Sequence, residues 1–156
     1  MRLENVLKVE GGKTRQESAF KALKRIIKMD CKKVLIHDAA RPFVSQEIIT
    51  SCIEALDNYE AVVTSIQTTD TVIKSKNMEV LQVEDRSQIF LNQTPQGFDY
   101  KTILNAHKNR AGSVTDDISL LDFNKTRCKV IKGSKKNIKI TTNSDIQFAM
   151  NILNQN

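Results

Sequence analysis

Val34-Leu35-Ile36-His37-Asp38-Ala39-Ala40-Arg41-Pro42 decides how this chain is read. Three apolar, β-favouring residues run directly into an acid, two small residues, an arginine and a proline. A buried strand that ends this way delivers polar side chains to a ligand crevice, because open α/β sheets bind ligands outside the carboxyl ends of their strands. Asp38 suits a sugar hydroxyl or a metal and Arg41 a phosphate, while Ala39 and Ala40 leave room for a bulky group against the backbone. An ordinary strand-to-loop exit reads the same way, so the neighbouring segments must decide.

Upstream, residues 6–9 read as a strand broken by Gly11-Gly12. Thr14-x-x-Glu17 then has the form of a capping box. The helix behind it sets Phe20, Leu23, Ile26 and Ile27 on one face. Downstream, Ser45 is placed to cap a helix through Ile48, Ile49, Cys52, Ile53 and Leu56, and residues 61–66 form a further buried strand. Runs at 71–74 and 80–83, joined by Ser75-Lys76-Asn77, read as a hairpin. Gln93-Thr94-Pro95-Gln96 leads into a helix over 100–108. Thr115-Asp116-Asp117 starts another, carrying Ile118, Leu121 and Phe123. Residues 129–131 and 138–140 read as strands. A last helix begins near Ser144, with Ile146, Ala149, Ile152 and Leu153 inward. Strands alternating with helices predict one α/β domain over 1–156 with a largely parallel sheet, from which the hairpin near 70–90 projects.

With 156 residues the chain can bury a sizeable core, and a net charge of +6 suits anionic small molecules, phosphates or nucleic acid. The lysines are dispersed and no basic run is interleaved with aromatics, which argues against nucleic-acid binding. Three separated cysteines form no C-x-x-C pair and no disulfide framework, as in a reducing cytoplasm. Two distant histidines, His37 and His107, do not make a zinc site. No stretch reads as a signal peptide or a membrane span, so a soluble cytoplasmic protein is expected.

The polar candidates fall at element ends. Gly11-Gly12 and the helix start at Thr14 to Ser18 offer free N–H groups to an anion, or simply a turn. In Asn137-Ile138-Lys139-Ile140-Thr141 the isoleucines share one face, and Lys139 projects from the other toward solvent or a site. Arg86, after the hairpin in Asp85-Arg86, is either a surface charge or a group carried to a remote site, even in another subunit. Thr94-Pro95 and Thr115-Asp116 are cap-like, with a structural role as available as a functional one.

Taken together, Gly11-Gly12-x-x-Arg15-x-x-Ser18, His37-Asp38-Ala39-Ala40-Arg41-Pro42, Thr69-Asp70-Thr71, Asp85-Arg86, Gln93-Thr94-Pro95-Gln96, Thr115-Asp116-Asp117 and Asn137-Ile138-Lys139-Ile140-Thr141 stand in the order and spacing of one family. The chain resembles the 2-C-methyl-D-erythritol 4-phosphate cytidylyltransferases along nearly its whole length. The resemblance implies a Rossmann-like nucleotidyltransferase sheet with helices on both faces and a β-hairpin dimerisation arm. It implies transfer of a cytidylyl group from CTP, with Mg²⁺ on the triphosphate, to a polyol phosphate in the non-mevalonate isoprenoid pathway. By motif, Lys139 and Arg86 would position the methylerythritol phosphate for attack. Thr71, Thr94 and Thr115 would hold it, Arg41 would lie near it, and Asp38 would bridge polyol and nucleotide. Gly12, Ser18 and Ala39 would contact the cytidine. Family members are homodimers whose arms exchange contacts, so Arg86 would serve the neighbour's site.

The family opens with a strand and a Gly-rich loop whose Arg and Lys cradle the triphosphate. No such segment precedes Gly11-Gly12, and Lys13 stands where many members carry an acid. The expectation from sequence is therefore a chain without the N-terminal strand-loop-helix and impaired alone, with a separate N-terminal fragment as a possible partner. The alternatives are a ribitol 5-phosphate cytidylyltransferase and a non-catalytic remnant that dimerises through the arm.

Overall fold

The computed structural model describes residues 6–109 and 114–154. Its strands are β1 (Lys33–Ile36), β2 (Ala61–Gln67), β3 (Ile73–Lys76), β4 (Glu79–Val83), β5 (Phe90–Asp99) and β6 (Cys128–Lys132). Its helices are α1 (Arg15–Arg25), α2 (Gln46–Ala55), α3 (Tyr100–Asn109) and α4 (Asn143–Asn154), with 3-10 turns at Arg86–Gln88 and Asp117–Leu120.

The main sheet runs β1-β5-β2-β6. Strand β5 is antiparallel to both β1 and β2, while β2 and β6 are parallel. The sheet is thus mixed rather than largely parallel, because the segment before α3, to which the sequence assigned no strand, is a central strand. Thr94-Pro95 concealed it: a proline cannot donate to a ladder and argues against a central strand. The structure accommodates Pro95 where pairing with β2 is interrupted, between Val63↔Gln96 and Ser65↔Asn92, and beyond the last β1 pair, Ile36↔Gln96. Its carbonyl accepts from Thr64 Oγ1 at 2.7 Å, and the Thr94–Pro95 peptide is cis.

Strand β2 sets the layers. Ala61 and Val63 face a core with Leu23 of α1, Phe98 of β5, and Tyr100, Ile103 and Leu104 of α3. Val62 points to the opposite face and packs with Cys52 and Leu56 at α2. Successive strand residues face opposite sides, so a strand covered on both faces reads as a continuous apolar run. This is the two-faced α/β arrangement that the motifs imply. Tyr100 hydroxyl donates to the Leu23 carbonyl at 2.8 Å and ties α3 to α1.

Both predicted N-caps form: Thr14 Oγ1 accepts from Glu17 N at 3.1 Å, and Ser45 Oγ from Ile48 N at 3.3 Å. Strands β3 and β4 pair as the predicted hairpin, apart from the main sheet and exposed throughout. Its turn lies at Asn77 and Met78, with φ of 51° and 67°, so Ser75 and Lys76 belong to the strand.

Several expectations are corrected. Residues 6–9 form no strand, and Val6 and Leu7 are about half exposed. Residues 138–140 also form none; Ile140 makes a single backbone bond, N–H to the Ala40 carbonyl at 2.8 Å. Ile27 is exposed because α1 ends before it, and Ile53 because it lies off the stripe of Ile48 and Cys52. Phe123 is exposed because the 3-10 turn stops at Leu120. Helix α4 buries only Ala149 and Ile152, a narrow stripe that leaves Ile146 and Leu153 on its flanks in solvent.

Candidate functional site

The polar cleft is built by the β1 exit loop, the middle of β5, the turn before the Asp117–Leu120 helix and the segment after β6. It encloses about 200 Å³ and is lined by Arg15, Asp38, Arg41, Asn92, Gln93, Thr94, Thr115, Asp116 and Lys139. A second, more apolar groove of about 540 Å³ runs between α1 and β1 and is lined by Ser18, Ala19, Ala22, Leu23, Ile26, residues 34–37 and Ala39. Arg15 and Asp38 line both. They form the wall between the two spaces.

Backbone bonds fix the β1 exit loop. Asp38 N donates to Thr94 Oγ1 at 3.0 Å. His37 Nε2 lies 2.9 Å from the Arg41 carbonyl, and its Nδ1 3.1 Å from Thr94 Oγ1. A carbonyl can only accept, so Nε2 carries a hydrogen, and in the neutral ring Nδ1 accepts from the Thr94 hydroxyl. Thr94 is buried, and its hydroxyl contacts both Asp38 N and His37 Nδ1 and so holds this loop.

Lys139 arrives by a different route. Gln93 Nε2 donates to the carbonyls of Ser134 at 2.9 Å and Asn137 at 3.3 Å. Asn137, fully buried, donates its amide to the Thr94 carbonyl at 2.8 Å, and its own carbonyl accepts from Arg41 Nη1 at 2.8 Å. With the Ile140 bond to Ala40, these contacts clamp residues 137–140 onto the exit loop. Lys139 Nζ then reaches Asp38 Oδ2 at 3.0 Å.

Asp38 is surrounded by cations. Arg15 Nε donates to its Oδ1 at 3.0 Å, and Arg41 Nε stands 4.0 Å from its Oδ2. Burial pushes the Asp38 carboxyl up, but hydrogen bonds and charge from Lys139 and Arg15 outweigh it and hold the group below the usual carboxylate range. Burial lowers the Arg41 guanidinium, an effect that Asp38 and Asp116 offset only in part. Burial would lower Arg15 too, yet Asp117 and Asp38 raise it above its ordinary value. Arg15 Nη2 and Arg41 Nε are buried without hydrogen-bond partners among the described residues. Lys139 is 44% exposed. The cleft can therefore take an anion on its free cationic donors and hydroxyls on Asp38.

The structure brings Asp38, Arg41, Thr94, Thr115 and Lys139 to one cleft, and Ser18 and Ala39 to the adjoining groove. Gly12 N donates to Ser18 Oγ at 2.9 Å, which fixes the turn entering α1. Thr71 and Arg86 do not line either space; Arg86 donates to the Thr69 carbonyl at 2.9 Å, at the base of the hairpin. Sequence reading assigned no role to Arg15, Gln93, Asn137 or Asp117, although all four lie inside its motifs. Among the described residues no cluster of His, Cys, Asp or Glu could hold a metal ion, and no helix is long and apolar enough to cross a membrane.

A family model described as 2-C-methyl-D-erythritol 4-phosphate cytidylyltransferase matches residues 2–155. A bifunctional IspD/IspF enzyme of Pelagibacter ubique is 41% identical over 95% of this chain and 40% of its own length. A 2-C-methyl-D-erythritol 4-phosphate cytidylyltransferase of Prochlorococcus marinus is 41% identical over 90% of this chain and 65% of its own. The crystal structure of the 4-diphosphocytidyl-2C-methyl-D-erythritol synthase from Anaerococcus prevotii superposes with a TM-score of 0.87 at 38% identity, over 94% of this chain and 66% of that one. The chain thus spans less than two thirds of these two curated relatives.

Proposed function

Because the chain belongs to the 2-C-methyl-D-erythritol 4-phosphate cytidylyltransferase family, we propose that it binds CTP–Mg²⁺ and 2-C-methyl-D-erythritol 4-phosphate and takes part in cytidylyl transfer between them. In that reaction a phosphate oxygen of the polyol attacks the α-phosphorus of CTP. The bond from that phosphorus to the bridging oxygen breaks, and pyrophosphate leaves. Such a displacement depends on positioning and charge neutralisation rather than covalent catalysis.

One observation carries the reading: Asp38, clasped by Arg15 and Lys139, stands in the wall between a larger apolar groove and a smaller cationic cleft. A cytidine in the groove and a polyol phosphate in the cleft would meet at Asp38. Gly12, Ser18 and Ala39 then serve the nucleoside. Lys139 and Arg41 neutralise the polyol phosphate, with Thr94 and Thr115 lining its place. Asp38 is committed to two cations, and among the described residues no cluster of His, Cys, Asp or Glu could hold a metal ion. Mg²⁺ would come as part of the CTP–Mg²⁺ substrate, as the family resemblance implies.

Thr71 and Arg86 lie on the hairpin side, outside the chain's own cleft. They would act in the site of a second copy, with the exposed hairpin as the dimer arm. A cytoplasmic location fits this substrate pair.

The test is calorimetric titration of CTP–Mg²⁺ into the purified chain, followed by a turnover assay with methylerythritol phosphate and ribitol 5-phosphate side by side. Both are repeated with the segment of a relative that this chain does not match supplied in trans. Saturable binding and pyrophosphate release with methylerythritol phosphate support the proposal. Preference for ribitol 5-phosphate would reassign the acceptor. Absence of CTP binding by a cooperatively folded chain in both formats would leave a dimerising protein without this activity.

A further inference from the structure

We infer that Arg15 is a positioning residue: it fixes the Asp38 carboxylate at the wall between groove and cleft by tying it to the buried Asp117. The inference rests on the proposed function for what Asp38 does, and on geometry alone for how Asp38 is held.

Arg15 opens α1 directly behind the Thr14 cap. Its Nε donates to Asp38 Oδ1 at 3.0 Å, and its Nη1 to Asp117 Oδ2. One planar guanidinium therefore grips two carboxylates from different parts of the chain, and its donors leave in fixed directions. Fixing one carboxylate fixes the plane presented to the other.

Asp117 is the fixed end. Its side chain is 1% exposed. The next residue, Ile118, is buried and donates its N–H to Gln96 Oε1 at 3.1 Å. On the far side, His107 Nε2 lies 3.3 Å from Asp117 Oδ1, and the imidazole stacks on Phe20 with ring centres 5.5 Å apart. The anchor thus belongs to the packed core between α1 and α3.

Asp38 is the working end. With Oδ1 on Arg15, its Oδ2 is turned to Lys139 at 3.0 Å and toward Arg41 at 4.0 Å. Rotation of the carboxylate would disturb both contacts. Arg15 shares its charge between two acids and so is less available to an incoming anion than Lys139. Its contribution to a ligand passes through Asp38. Sites held to within a fraction of an ångström need this kind of support from rigid elements.

The experiment reads Asp38 directly, on the full chain and without nucleotide. The β-proton couplings of Asp38 report its χ1 rotamer by NMR. The wild type is expected to show a single rotamer. Arg15→Lys keeps the charge and loses the fork, and Asp38 is expected to average over rotamers. Asp117→Asn removes the anchor's charge and gives the same averaging, and this variant decides the matter if Arg15→Lys does not fold. A single, unchanged Asp38 rotamer in the folded variant would overturn the inference and leave an ion pair that serves stability alone. Because no nucleotide is present, failure of CTP binding sinks the proposed function without touching this result.

Discussion

Lys139 Nζ stands 3.0 Å from Asp38 Oδ2, joining the segment after β6 to the exit of β1. The folded state holds Asp38 below its ordinary value of 3.8. A depressed carboxylate contributes stability that is present above the unfolded value and is lost as pH falls through the folded one. Lys139→Met should therefore raise the Asp38 midpoint. It should destabilise the chain near neutral pH by about 0.5–1 kcal/mol, a modest figure because Lys139 is 44% exposed and screened. Urea melts of both proteins from pH 7 to pH 3 check it: the difference must shrink on acidification. A difference that stays constant would mean that Lys139 contributes through packing of its stem.

The Arg15–Asp117 pair predicts an asymmetry. Arg15→Met leaves Asp117, 1% exposed, as a buried charge without its cation, and such losses cost about 3–5 kcal/mol. Asp117→Asn leaves the Arg15 side chain 31% exposed, so water solvates the charge that loses its buried partner. Its cost should be nearer the ~1–3 kcal/mol of a lost hydrogen-bond partner. Chemical denaturation of the two variants gives the order. Equal losses would show that the fold tolerates an unpaired guanidinium no better than an unpaired carboxylate.

The order of loss bears on what the sequence revealed. Periodicity located α1 to α4 and the hairpin, because apolar spacing and cap residues such as Thr14 and Ser45 act locally. It missed β5, where Thr94-Pro95 gives a local turn signal that only the bulge opposite β2 overrides. It also made residues 6–9 and 138–140 strands from their local apolar residues, although a strand needs a partner and neither segment has a ladder. Asp38 and Arg41 were legible because they follow the carboxyl end of β1, and Lys139 because it lies in a motif of the family. Gln93, Asn137 and Asp117 were not. They act through buried hydrogen bonds and ion pairs that span tens of residues, and their polarity reads locally as surface.

Helix α4 offers a pH prediction of its own. Asp145 Oδ2 accepts from the N–H groups of Thr141 at 2.9 Å and Thr142 at 2.8 Å. Those backbone bonds, with help from the Thr142 hydroxyl, lower its carboxyl to about 2. The stabilisation is present above the ordinary value of 3.8 and disappears as pH falls toward about 2. Asp145→Ala should speed hydrogen exchange at the Thr141 and Thr142 amides at neutral pH and leave the amides of β2 unchanged. Equal acceleration throughout the sheet would mean that α4 unfolds only with the whole domain.

Gly133 links fold to site through packing rather than backbone freedom. A Cβ there would run into Gln93 Oε1 and lie 3.1 Å from Thr64 Cγ2 and 3.2 Å from the Ser65 carbonyl. The last of these is backbone in the central strand and cannot swing aside, so the Gln93 side chain must yield. Gln93 is the group whose amide holds the Ser134 and Asn137 carbonyls, and Asn137 in turn carries the segment that presents Lys139. Gly133→Ala should cost about 1–3 kcal/mol, in the range of overpacked sites. It should also release Lys139 from Asp38, raising the Asp38 midpoint as Lys139→Met does. Measuring stability and the Asp38 titration on the same sample separates the two effects. A destabilised variant with an unshifted Asp38 would show that the strain is absorbed in β2 and that Gln93 keeps its grip on the segment.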